Sequence, residues 1–323
     1  MYSCKIDNDP GEYVLKAAYR NKSSAAQYRK ERNVGVAVED RHLLKCVDSL
    51  GLGSASSSLT SDNDNDNDDG DYDGGSSSLT MVMMLLPNVP SSLRSLLDST
   101  TNPKPSSSQH LLQLPNLSSA QIVRIRKGVL SGLKCLHSLG YAHLDLKVDN
   151  VLMTSDGSPV IVDYGSCMSN GEDLTGRITS VTRERVRSLQ EYSGTNTTVT
   201  VRSPEMFEGG TSPGDTVNLF KCDVWSLGCL VYALHFGWSP FEVEYDRRNG
   251  QGLRYVDCTH LRVLSDQYKK YEGQGKLKDV HDRWIDGTRG IYGKCLEVDP
   301  RNRCELRELE DYREYSKDVN DVL

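Results

Sequence analysis

The amino-acid sequence predicts an α+β chain in two parts, strand-rich first and helix-rich afterwards, and three observations predict it. Short apolar runs separated by turn residues fill the first 87 positions, a 3.6-residue apolar repeat begins after Ser118, and a nearly continuous apolar helix starts at Asp223 and runs through Leu234. Taken in order, Tyr2 to Ile6 and Glu12 to Ala18 bracket Asp-Asn-Asp-Pro-Gly, a turn-forming stretch, so the chain should open as a β-hairpin. Ser23 to Glu39 is expected to be helical. Leu43 to Val47 and Met81 to Leu86 read as short strands. Ser118-x-x-Gln121 is a capping box, in which the serine hydroxyl and the glutamine amide satisfy each other's orphan backbone N–H groups. Behind it Ile122, Ile125, Val129, Leu133 and Leu136 recur on one face, and this helix should deliver the chain to a loop at His143.

Between the two early strands lies a low-complexity stretch, about Gly53 to Ser78, made of Ser, Asp, Asn and Gly. Its apolar surface is too small to offset the entropy of ordering it, so disorder is expected. A calcium loop fails there. Aligning Gly70 with the turn glycine of such a loop places Ser76 where a bidentate glutamate is required. A second polar stretch, about Ser99 to Ser108 with Pro103 and Pro105, reads as a surface loop.

The net charge of −7 is a property of that first insert. Asp62, Asp64, Asp66, Asp68, Asp69, Asp71 and Asp73 account for all of it, the remainder is balanced, and nothing recommends nucleic acid as a partner. Nine cysteines, an odd number without close pairs, read as reduced thiols, and no Cys/His cluster has zinc spacing. No apolar run approaches the ~20 residues that cross a bilayer, and Met-Tyr-Ser-Cys-Lys lacks a signal peptide's apolar core. Tyr2 offers no glycine for N-myristoylation, so any membrane association should be indirect. These features suit a cytoplasmic enzyme.

The chemistry concentrates in residues 141–165. Tyr-Ala-His-Leu-Asp-Leu-Lys-Val-Asp-Asn sets Asp145, Lys147 and Asn150 in one loop, and Asp163 follows in an Asp-Tyr-Gly triplet after an apolar run. Phosphoryl transfer to a hydroxyl needs such a set: a carboxylate to accept the proton, a cation to meet the moving phosphoryl group, and hard oxygen donors for Mg²⁺.

On these residues the chain resembles a eukaryotic protein kinase domain. It is most similar to the Numb-associated kinase group, in its branch of myristoylated and palmitoylated serine/threonine kinases. The resemblance is carried by Gly-Tyr-Ala-His-Leu-Asp-Leu-Lys, by Asp-Tyr-Gly-Ser at 163–166, and by Val-Arg-Ser-Pro-Glu-Met-Phe at 201–207. Cys-Asp-Val-Trp-Ser-Leu-Gly-Cys-Leu-Val-Tyr-Ala-Leu-His-Phe-Gly at 222–237, Asp299-Pro300 and Arg303 complete it. It implies one kinase domain over 1–323, with a partial β-rich N-lobe at 1–87 containing the insert 53–78, and a mainly helical C-lobe at 88–323. The implied activity is transfer of the ATP γ-phosphate, with Mg²⁺, to a serine or threonine of a protein substrate.

The resemblance also implies roles residue by residue. Asp145 is the base and Lys147 stabilises the transferred phosphoryl group. Thr198, seven residues before Glu205, bridges the two. Asn150 and Asp163 are the Mg²⁺ ligands. Lys16 holds the α- and β-phosphates and Glu31 is its carboxylate partner, with Glu39 as the competitor. Adenine sits against Leu86, Pro87 and Val89. Asp223 accepts N–H bonds from the catalytic loop, and Glu205 pairs with Arg303.

Departures from the pattern are equally specific. No Gly-x-Gly-x-x-Gly precedes Lys16, so the loop whose N–H groups cradle phosphates is expected to be missing from this chain. The alternative function is therefore a pseudokinase-like binding or scaffold protein with little activity. Leu144 stands where an arginine would read a phosphorylated activation segment. Between Asp163 and Glu205, Val181, Val186 and Leu189 recur at near-helical spacing, which predicts a short helix that needs no phosphate to order it.

Overall fold

The computed structural model describes residues 2–5, 11–19, 22–52, 81–100, 114–169, 177–178, 183–207, 217–245, 253–259 and 294–310. The predicted acidic insert, residues 7–10 of the hairpin turn and Val181 lie outside the described residues. The chain divides into two compact units, residues 1–36 with 45–88 and residues 37–44 with 89–323.

The first unit is an antiparallel sheet with one helix. Its strands are β1 (Tyr2–Cys4), β2 (Tyr13–Tyr19), β3 (Asp48–Leu52) and β4 (Met81–Pro87), in the order β1-β2-β4-β3. The predicted opening hairpin is present, with Tyr2 opposite Leu15. Helix α1 (Lys22–Ala37) is rich in strong helix formers, Ala25, Ala26, Gln27, Lys30 and Glu31 among them. In β2, Lys16 faces Met84 of β4, and directly opposed residues project from the same side of an antiparallel sheet.

The predicted strand Leu43–Val47 does not form. Leu43 makes one isolated bridge to Ile161, the Leu44 N–H donates to the Ile161 carbonyl at 2.9 Å, and the Cys46 N–H donates to the Gly35 carbonyl at 2.8 Å. A ladder needs one continuous neighbour, and this segment changes neighbours at every second residue. The strand begins at Asp48, where Leu85 becomes the steady partner. By the same contacts residues 37–44, placed by the sequence with the strand-rich part, belong to the second unit.

The second unit is mainly helical. It contains β5 (Ser91–Ser92), α2 (Leu93–Thr100), α3 (Ser119–Ser138), β6 (Tyr141–Ala142), β7 (Val151–Met153), β8 (Pro159–Ile161), β9 (Met168–Ser169), β10 (Arg177–Ile178), α4 (Arg183–Asn196), β11 (Val217–Asn218), α5 (Leu219–Phe236), β12 (Val243–Tyr245) and β13 (Leu253–Tyr255). Ser99 and Thr100, read as loop, close α2. The capping box of α3 is present, with Gln121 N–H on Ser118 Oγ and Ser118 N–H on Gln121 Oε1. All five apolar positions of its repeat are buried, each contributing about 1.5–3 kcal/mol relative to exposure. Two glycines of α3 allow a close approach. A Cβ at Gly128 would meet the Pro159 side chain at 2.5 Å, and one at Gly132 would meet the His42 carbonyl oxygen at 3.0 Å.

Helix α5 is the centre of this unit. It is apolar over 18 residues, long enough by composition to cross a membrane, but 89% of that window is buried in the fold. Its apolar length therefore fills a core. Asn218 Oδ1 caps it at the start, and Gly237, at φ 82°, ends it in the left-handed conformation that glycine adopts without strain.

Candidate active site

The candidate site of the second unit begins where α3 ends. Strand β6 and the turn Val148–Asn150 hold residues 143–147 between them, and the main chain there is strained, with Leu144 at φ 64°. The sequence gives Leu144 no means to hold that conformation by itself. The buried carboxylate of Asp223 does it from α5. Oδ1 accepts the Leu144 N–H at 2.8 Å, and Oδ2 accepts the His143 N–H at 2.8 Å and meets His137 Nε2 at 2.7 Å. The His137 contact had no signal in the sequence.

Asp145 then sits at the centre of a small network. Its Oδ2 accepts from Lys147 Nζ at 2.9 Å and from Asn150 Nδ2 at 3.1 Å, and its Oδ1 accepts the Thr198 N–H at 2.7 Å. Lys147 Nζ also donates to Thr198 Oγ1 at 2.6 Å. The structure thus brings Asp145, Lys147, Asn150 and Thr198 into direct contact across 53 residues of sequence. Both partners of the Asn150 amide nitrogen are acceptors, since it also donates to the Asp145 carbonyl at 2.9 Å. That fixes the amide's orientation and leaves Oδ1 as its acceptor.

Asp163 approaches by way of the hairpin β7–β8, where Val151 pairs with Ile161. The Val162 N–H donates to the Asn150 carbonyl at 3.0 Å, so Asn150 and Asp163 occupy the two exits of one hairpin. Asp163 has φ 65°, the second of the two non-glycine residues with positive φ among those described. Such residues cost of order 1–3 kcal/mol and cluster at functional sites.

Thr198 is positioned by contacts that the sequence did not announce. Arg202 donates through Nε to Thr197 Oγ1 and through Nη2 to the Thr197 carbonyl, both at 2.7 Å, and lies over the Phe207 ring. Burial pulls the Arg202 guanidinium below its ordinary value, against the opposing charge of Asp145. Ser226 Oγ, on α5, donates to the Val201 carbonyl at 2.9 Å, and Ser239 Oγ, just beyond the helix, to the Thr200 carbonyl at 2.5 Å. Below this loop the expected pair forms, with Arg303 Nη1 and Nη2 on the two Glu205 carboxylate oxygens at 2.7 and 3.1 Å. Both side chains are buried. Burial would lower the Arg303 pKa, but Glu205 outweighs it and the guanidinium is held above its ordinary value.

The activation-segment helix is also present, as α4, seven residues beyond the predicted stretch at its C-terminal end. Leu189 is buried among Ala142, Leu144, Met206 and Leu219. Leu144 therefore packs under α4, where the expected arginine would have carried charge.

In the first unit, Lys16 Nζ lies 2.6 Å from Glu31 Oε1, so Glu31, and not Glu39, is the partner. Tyr28 lies beside the same ammonium, its ring centroid 5.6 Å away. Leu86 and Pro87 end β4 opposite Val14 and Tyr13, and the Asn88 N–H donates to the Glu12 carbonyl at 2.8 Å. Val89 is the first residue of the second unit's long segment.

A buried carboxylate, bridged to a lysine and a threonine and backed by an asparagine, makes a centre that can accept a hydroxyl proton while meeting negative charge beside it. The protein kinase domain model matches residues 81–313, and the chain belongs to the protein kinase domain family. Serine/threonine-protein kinase ENV7 of Saccharomyces cerevisiae is 30% identical over 265 residues, which is 68% of this chain and 64% of that protein. Serine/threonine-protein kinase 16 is 33% identical in Homo sapiens and 32% identical in Rattus norvegicus, over 137 residues and 42% of each chain. The matched part of the chain thus spans less than two thirds of the length of these relatives.

Proposed function

We propose that this protein is a serine/threonine kinase that transfers the γ-phosphate of ATP to a protein hydroxyl. The observation that carries the reading is the Asp145–Lys147–Thr198 contact set, built from residues 53 positions apart. Asp145 orients the acceptor hydroxyl and takes its proton. Lys147, whose ammonium donates to Asp145 Oδ2, meets the charge developing on the phosphoryl oxygens. Thr198 keeps both in register, its N–H on the carboxylate and its hydroxyl on the ammonium.

The donor set fits Mg²⁺. Asn150 Oδ1 and the Asp163 carboxylate are hard oxygens at the two exits of one rigid hairpin, the ligand type that ion takes. Bound with ATP, the ion would supply neutralisation of phosphate charge. Lys16, held by Glu31, is the candidate for the α- and β-phosphates, and Leu86, Pro87 and Val89 for the adenine edge.

The finer assignment, to the Numb-associated group and its myristoylated and palmitoylated branch, is supported by residues 222–237 and by the helical α4. A reducing, cytoplasmic location is our reading of the eight cysteines whose side chains are described, all of them free thiols.

The test is kcat for wild type and Asp145→Asn on a serine peptide with MgATP. Loss of the base should lower kcat by about 10²–10⁴ with ATP affinity nearly unchanged. Equal rates would assign the activity to a contaminant and refute the reading.

A further inference from the structure

The cysteines are scattered in sequence, but the fold of the second unit brings two of them together. Cys295 Sγ and Cys304 Sγ lie 4.0 Å apart, nine positions from each other in the chain. The Cys304 N–H donates to the Lys294 carbonyl at 3.2 Å, so the two backbones meet beside the sulfurs. Cys295 is fully buried and fixed against α5, where a Cβ at Gly228 would meet the Cys295 Cβ at 2.7 Å. Cys304 is nearer the surface, 6% exposed, and is followed by the half-buried Glu305.

The stretch between the two thiols is already folded on itself. Arg303 Nε donates to the Glu297 carbonyl at 2.9 Å and Nη2 to the Val298 carbonyl at 3.3 Å. A disulfide holds its sulfurs about 2.05 Å apart, so closing this pair asks for a movement of about 2 Å, on the scale of one side-chain rotation. The two thiols also differ chemically. Contact with Cys295, aided by the Lys221 and Lys294 charges, holds the Cys304 thiol below its ordinary value against its burial. The same contact, together with burial, pushes Cys295 well up. On α5, burial pushes the thiols of Cys222 and Cys229 up as well, which leaves them protonated and inert.

We infer that Cys295 and Cys304 form an oxidant-sensitive dithiol that closes to a disulfide under hydrogen peroxide. The Cys304 thiolate attacks one peroxide oxygen: an S–O bond forms, the O–O bond breaks, and hydroxide leaves to take up a proton as water. The Cys295 sulfur then attacks the Cys304 sulfur. The S–S bond forms, the S–O bond breaks, and the departing hydroxide takes the Cys295 proton as a second water. Two thiols lose two electrons, and one peroxide is reduced to two waters. A transient disulfide of this kind suits a reducing compartment. Once closed, it ties down the stretch that ends on the Glu205–Arg303 pair and on the Cys304 carbonyl, which Lys221 Nζ of α5 meets at 3.1 Å.

Trypsin cuts after Lys294, Arg301, Arg303 and Arg307, so the disulfide joins two peptides, 295–301 and 304–307, that otherwise separate. The full chain is treated with hydrogen peroxide, quenched with catalase, alkylated with iodoacetamide in urea, digested and read by mass spectrometry. The joined peptide should appear about tenfold faster than Cys222 or Cys229 loses its alkylation, and dithiothreitol before alkylation should abolish it. In Cys295→Ser the second step is impossible, and dimedone should label Cys304 as its sulfenic acid. In Cys304→Ser, dimedone should label Cys295 about tenfold more slowly than that. Recovery of both peptides unlinked from the wild type after Cys222 or Cys229 has oxidised overturns the inference, and so does equal labelling in the two variants.

Discussion

Replacing Asp223 by asparagine tests the link between a buried carboxylate and the loop proposed to carry the chemistry. The carboxylate accepts three hydrogen bonds, two at Oδ2 and one at Oδ1, and its side chain is fully buried. An asparagine can keep its carbonyl oxygen only on one side. Kept toward His143 and His137, it turns its amide toward the Leu144 N–H, donor against donor. An unsatisfied buried N–H costs about 1–3 kcal/mol, and Leu144 loses the bond that holds its positive φ, itself worth about 1–3 kcal/mol. Because the two terms overlap, the loop should be destabilised by about 2–4 kcal/mol. Exchange of the Leu144 amide should then accelerate about 30- to 1,000-fold, and kcat should fall while unit 1 is untouched. Native-state hydrogen exchange followed by residue reads the first, and a peptide phosphorylation assay the second. Protection at Leu144 within threefold of wild type would refute the reasoning, for it would mean that the strained loop holds without the carboxylate.

Glu31→Gln should raise the KM for ATP by about 1–2 kcal/mol equivalent, because Lys16 loses its 2.6 Å partner; an unchanged KM would remove Lys16 from the phosphate-binding role. Glu205→Ala should cost about 3–5 kcal/mol by urea denaturation, because Arg303 stays buried with its charge uncompensated, and a loss under 1 kcal/mol would contradict this. Burial pushes the His235 pKa down from 6.5 to about 4, so the folded state binds fewer protons than the unfolded one between those values. Stability should therefore be intact above about pH 6.5 and fall by up to about 3 kcal/mol toward pH 4, and His235→Gln should flatten that slope.

What could be read from the sequence was what the chain writes locally. Asp145, Lys147 and Asn150 lie within six residues, and the capping box of α3 within four, so spacing alone exposes them. Thr198 and the Glu205–Arg303 pair were legible only through the resemblance, which supplies long-range partners that periodicity cannot. The failures have the same origin. Leu43–Val47 has strand composition but no single neighbour, and a strand exists only as part of a ladder. Gly128 and Gly132 look like flaws in a helix until residues 42 and 159 are seen against them. Arg202, Ser226 and Ser239 carry no pattern, yet they fix the loop that bears Thr198.

The two strained residues are not independent, and one side chain shows why. His143 accepts the Asp145 N–H at Nδ1, at 3.3 Å, so its other nitrogen must carry the proton that reaches the Val162 carbonyl at 3.1 Å. This sets the Nε2–H tautomer by its partners. Leu144 lies between the first contact and the His143 backbone, and Asp163 directly follows Val162. A single buried ring therefore fixes the entry to Asp145 and the entry to Asp163 together, while Asp223 holds the same ring's backbone from α5. Asp145, the proposed base, and Asp163, the proposed Mg²⁺ ligand, owe their placement to one imidazole and one carboxylate. That is the physical sense in which the core of the second unit, and not the loops by themselves, builds the site.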